Sequence, residues 1–153
     1  MSDFTTYTLG LILHVLSAIV LLGPAFLLPL VPRVIAGTPP TPVLKLMLLI
    51  ERYVAIFFVV QLFTGIWLIL EADFASFGKQ VWLHTSILLF VIAAGLSTGF
   101  QMPRVRKALA ASERGDAAEV ARLLRPAEKV VGPILGVLMV VIVVLMVWQP
   151  VAS

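Results

Sequence analysis

Four apolar runs, each long enough to cross a bilayer, set the terms for this chain. A hydrocarbon core about 30 Å thick takes about 20 helical residues. Runs of that length fall at Tyr7–Val31, Leu48–Leu70, Val81–Met102 and Val130–Trp148. Lipid offers backbone N–H and C=O groups no partner, so each run must satisfy its own and is expected to be a helix. The polar connection over residues 103–129 is the longest, and no soluble domain remains to be placed. The sequence thus predicts one transmembrane domain over 1–153: an all-α, integral membrane, up-down four-helix bundle. Composition agrees, with 12% charged residues and a mean hydropathy of +1.10, where soluble domains carry about a quarter charged residues.

The chain has no cysteine, which excludes disulfides, thiolate metal sites, iron–sulfur clusters and thiol nucleophiles. The opening "MSDFTTY" has no basic residue and no small-residue cleavage signal, so a removable signal peptide is not expected. Pro24, Pro29 and Pro32 predict kinks at the end of run one, and Pro39, Pro40 and Pro42 predict a broken loop before run two. In run three, Gly95 and Gly99 form a G-x-x-x-G, a spacing that lets helices approach closely, read here as packing. In the 103–129 connection, Asp116 followed by Glu119 resembles a capping box and predicts a short surface helix over 117–124.

The sequence pI near 9.7 raises the question of nucleic acid, and the distribution of the cations answers it. Arg33, Lys45, Arg52, Arg104, Arg106, Lys107, Arg114, Arg122, Arg125 and Lys129 all fall on the side of loops one and three, and Lys79 alone on the other. The positive-inside rule then places those loops in the cytoplasm and both termini outside. Trp67, Trp82 and Trp148 all fall at the outer ends of their runs, where aromatic belts sit. The basic excess is explained by orientation without a nucleic-acid partner, in a bacterial-type inner membrane, with loop three placed to touch anionic lipid.

Function is hinted at by two residues, the only histidines. His14 lies in "LGLILHVLSAIVLL" and His84 in "QVWLHTSILL". Runs one and three both pass from outside to inside, so the two sit in the outer half, about 6 Å apart in depth at 1.5 Å per residue. Two histidines on parallel helices of a bundle could ligate one b-type haem axially, and Gly10, Ser17 and Ala18 beside His14 leave room for a flat ring. Against this, haem propionates would find only Lys79 on the outer side. The other reading is that the histidines hydrogen-bond across helices to Ser17, Gln61, Thr64, Thr85 or Ser86. A third is a Cu(I) site of His14, His84 and Met146. Zinc hydrolysis lacks its three ligands, and no carboxylate lies at a run centre. Glu51 and Arg52 are expected at the interface.

The motifs also resemble a known family. "LHVLSAIVLLGPAFLLPLVPR", "ER" followed by "TGIWLIL", and "VWLHTSILL" are similar to the first three spans of HemJ-type protoporphyrinogen oxidases. The related CopD-like copper-resistance membrane domains and a branch of small uncharacterised integral membrane proteins share this outline. The resemblance implies a four-helix bundle with b-type haem on His14 and His84. Ser86 stands where the family carries lysine, and a later histidine of run three is missing within "AAGLSTG", which argues against protoporphyrinogen oxidation and for the uncharacterised branch. The sequence therefore supports a haem-binding redox protein, and alternatively a cofactor-free scaffold or accessory subunit. A copper-handling protein follows, and a transporter is weakened by the lack of buried charge and of broken helices in matched halves. A redox partner, a larger complex or a homo-oligomer is left open.

Overall fold

The computed structural model describes residues 2–27, 40–71 and 80–149. Helix α1 spans Ser2–Leu27 and α2 spans Pro40–Glu71. Helix α3 spans Val81–Ala94 and runs through a π-helical segment, Gly95–Gln101, into α4, Met102–Glu113. Helix α5 spans Ala117–Pro126 and runs through a second π segment, Ala127–Val131, into α6, Gly132–Trp148. These make four long apolar rods, Thr5–Pro24, Pro40–Glu71, Val81–Glu113 and Ala117–Trp148. The four-helix membrane bundle expected from the apolar runs is found.

Several boundaries move. Helix α2 starts eight residues before Leu48 and takes in Pro40 and Pro42, expected in a loop. First-turn N–H groups have no intrahelical acceptor, so proline is tolerated there. Pro24 sits inside α1, whereas Pro29, Pro32 and Pro39 lie outside the described residues. The polar 103–129 segment is a helical hairpin rather than a loop with one short helix. Its corner is a Schellman stop: Asp116 N–H reaches Ala111 O at 3.0 Å and Gly115 N–H reaches Ser112 O at 3.0 Å, with Gly115 at φ +76°, a conformation only glycine adopts cheaply. The Asp116 cap is present as expected, its carboxylate accepting from Glu119 N–H at 2.9 Å. Glu119's own side chain instead pairs with Arg122 at 2.6 Å.

Both π segments end two residues before a proline, Pro103 or Pro133. A proline leaves the carbonyl four residues back without its donor. The ladder slips to i→i−5 just upstream, with Met102 N–H on Ser97 O and Gly132 N–H on Ala127 O. Here the G-x-x-x-G expectation is corrected. Among the described residues nothing lies within 4 Å of where a Cβ of Gly95 or Gly99 would stand, so they support no close helix crossing there and instead lie in the first π segment.

Packing divides into two cores. One, in the apolar zone, joins Leu21, Val54, Phe58, Ala93, Val131, Leu135 and Met139, with Phe58 and Phe90 edge to face at 5.3 Å. The other joins Leu44 and Met47 of α2 to Val105, Ala108 and Ala111 of α4 and Val120 and Leu124 of α5. Helix α2 has 32 residues, about 48 Å, more than the bilayer core takes. Its first third therefore packs on the hairpin, fastened by Thr41 Oγ1 to Ser112 Oγ at 2.6 Å and Lys45 to Glu113 at 3.6 Å. Outward, the rods are apolar, with Ile19, Phe63, Leu70 and Val137 all exposed. That is the surface of helices meant for lipid.

Candidate functional site

Two polar groups interrupt the bundle. The first joins α1 to α2. On α1, His14 and Ser17 are one turn apart and share a face; on α2, Gln61 and Thr64 do the same. Helix α1 packs along α2, so the two pairs meet. Gln61 Nε2 lies 2.9 Å from His14 Nε2, and His14 Nδ1 lies 3.0 Å from Thr64 Oγ1. Ser17 Oγ donates to His14 O at 2.9 Å and contacts Gln61 Oε1. Thr64 Oγ1 donates back to Val60 O at 2.9 Å.

With the Gln61 amide as placed, its N–H₂ donates to His14 Nε2 and the His14 Nδ1–H donates to Thr64 Oγ1. Turning the amide reverses the chain, the ring then donating at Nε2 and accepting at Nδ1 from the Thr64 hydroxyl, whose one proton would have to leave Val60 O. Both orders use one donor and one acceptor of the imidazole, and both leave it satisfied. Gly65 makes room: a Cβ there would stand 3.3 Å from His14 Cε1. The cross-helix partners Gln61 and Thr64, one of the readings of His14 from sequence, are the ones found.

His84 is set differently. It is exposed, and its Nδ1 donates to Gln80 O at 2.9 Å, at the start of its own helix. An Nδ1–H bonded to a carbonyl is an orientation also adopted by metal-bound imidazoles, which then ligate through Nε2. An axial haem ligand must present such a lone pair to iron. In this arrangement His14 does not, because α2 engages both its nitrogens, and the pair does not fit a bis-histidine haem unless Gln61 releases His14. Ser86, at the resemblance's lysine position, is buried with Oγ donating to Trp82 O at 2.8 Å. Met146 is half-buried on α6. Among the described residues no three His, Asp or Glu side chains group as metal ligands.

The second polar group was missed from sequence. Glu51, expected at the interface, is buried between the two cores. Ser97 Oγ donates to its Oε2 at 3.1 Å, and Gln101 Nε2 donates to its Oε1. Both partners come from the first π segment. Arg52, its neighbour in sequence, is exposed. The signal was there to find: Leu44, Met47, Glu51, Val54 and Phe58, spaced three and four apart, form the buried stripe of α2, and Glu51 occupies a core position of that heptad.

Residues 8–150 match the family described as "Predicted integral membrane protein (DUF2269)", and the chain belongs to that family. No curated protein and no solved structure matches it.

Proposed function

We propose that this integral membrane protein is a cofactor-free scaffold or accessory subunit of a larger membrane assembly, in which His14 fastens α1 to α2. The observation that carries this reading is the engagement of both His14 ring nitrogens by Gln61 and Thr64. An interhelical fastener needs that arrangement, and a ligand needs the opposite. The hairpin of α4 and α5, with its own core and exposed Arg106, Lys107, Arg114 and Arg125, gives such a subunit a firm surface outside the bilayer. The ten-to-one division of Lys and Arg supports placing that hairpin in the cytoplasm of a bacterial-type inner membrane, with both termini outside.

The second reading is the b-type haem implied by the likeness to HemJ- and CopD-like proteins, for which His84, exposed and with its Nδ1 on Gln80 O, is the better-placed histidine. Haem would supply one-electron chemistry; His84 would hold it, and His14 would have to leave Gln61. A reduced-minus-oxidised spectrum of the protein purified in mild detergent after haem-replete expression separates the two. The scaffold reading expects no α-band and expects co-purification with a larger complex. An α-band that is lost in His14→Ala overturns it.

A further inference from the structure

Glu51 poses a problem of charge. Its side chain is 4% exposed, as is Ser97, and Gln101 is 1% exposed. A carboxylate taken out of water is strongly disfavoured unless a positive charge accompanies it. Among the described residues, the elements packed against α2 at this level supply none. On α4, Arg104 lies over the Phe100 ring at 3.3 Å, Arg106 reaches Met102 Sδ, Lys107 is exposed and Glu113 pairs with Lys45. On α1, His14 is held by Gln61 and Thr64, and no titratable residue follows it in the helix. The first π segment has no ionisable group, and the second, packed on the first, has Glu128 half-buried and Lys129 exposed. Arg52 is exposed beside Glu51 on α2 itself. Among the described residues the ion pairs are Lys45–Glu113 and Arg122–Glu119.

A second, independent observation points the same way. Gln101 Oε1 is buried without a hydrogen-bond partner, although its amide lies against the Glu51 carboxylate. Buried acceptors in native proteins rarely stay empty. The site therefore has a negative charge, and the amide whose nitrogen faces it has an oxygen lone pair to spare. With the Gln101 amide turned over, its donors would be two carboxylate oxygens, an amide oxygen and a hydroxyl, the oxygen set that hard cations select. Ser97 can turn its lone pairs inward by rotating its hydroxyl, and Gln101 can turn its oxygen by flipping its amide.

We propose that Glu51, Ser97 and Gln101 form a binding site for one hard monovalent cation, a proton or Na⁺, buried where the membrane core meets the hairpin core. The site is separate from the His14 cluster, so the spectrum that tests the scaffold reading leaves it standing or falling by itself. The test is labelling of the full-length protein in detergent with N,N′-dicyclohexylcarbodiimide, which attacks protonated carboxyls in apolar surroundings, with the modified residue mapped by peptide mass spectrometry. The label is expected on Glu51 in the wild type and absent in Glu51→Gln. Its rate should fall with rising pH, about tenfold per unit once past the midpoint. If Na⁺ is the cation, NaCl at fixed pH slows the labelling and choline chloride does not; if the proton is, neither does. No label on Glu51 at any pH, or labelling no different in pH dependence from that of exposed Glu71, overturns the proposal. Because the wild-type map alone decides this, it holds even if Glu51→Gln folds poorly.

Discussion

If His14 is a fastener, removing Gln61 should hurt more than removing a hydrogen bond. In Gln61→Leu the 2.9 Å contact to His14 Nε2 disappears, and so does the contact to Ser17. Ser17 keeps its bond to His14 O, so that side loses little. His14 loses the partner of one ring nitrogen and cannot turn to water. Interhelical hydrogen bonds in membranes contribute about 0.6 kcal/mol on average and up to about 1.7. A buried polar atom left unpartnered costs about 1–3 kcal/mol. The second effect is the larger, so Gln61→Leu should destabilise by about 1–3 kcal/mol. His14→Leu removes the ring and orphans the Gln61 amide in turn. In the double variant nothing is left to orphan, and its loss should fall short of the sum of the singles by at least about 0.6 kcal/mol. Reversible unfolding in mixed micelles, followed by circular dichroism for the four proteins of the cycle, measures this. Losses that add to within about 0.3 kcal/mol would refute the reasoning, since uncoupled residues do not fasten one another.

Two further outcomes follow from the geometry. Gly65→Val should destabilise by about 1–3 kcal/mol through overpacking, because even a Cβ meets His14 Cε1 at 3.3 Å; thermal unfolding in detergent reads this, and an unchanged midpoint contradicts it. The absence of cysteine makes single-cysteine topology mapping clean: with a membrane-impermeant maleimide on intact cells, Thr5→Cys should label and Ala110→Cys should not, and the reverse pattern inverts the proposed orientation.

Much of this architecture was legible in the residues because hydropathy is a local property. Twenty apolar residues in a row need a helix in lipid whatever surrounds them, so the number of spans and the bundle followed directly. Capping is equally local, and Asp116 begins its helix as read. Expectations that depended on helix ends or helix faces fared differently. Pro40 and Pro42 read as breakers, yet first-turn positions accept them. Gly95 and Gly99 read as a packing motif, yet the slip upstream of Pro103 placed them in a π segment with no neighbour at either Cβ position among the described residues. Glu51 and Arg52, near the start of run two, both read as interfacial, yet one step along a helix turns the side chain by about 100°, enough to bury one and expose the other.

The sequence by itself therefore determined the membrane class, the span count and which polar residues lie in apolar runs, since each depends only on neighbours along the chain. Tertiary structure decided which of those residues meet. Gln61 and Thr64 are 47 and 50 positions from His14, and Ser97 and Gln101 are 46 and 50 from Glu51. Such pairings depend on the rotation and depth at which two helices pack, and those are fixed by side chains interlocking across the interface. The histidine that looked free to bind iron is held by α2 because α1 packs with that face inward. The carboxylate that looked wet is buried because α2 turns it toward the π segment.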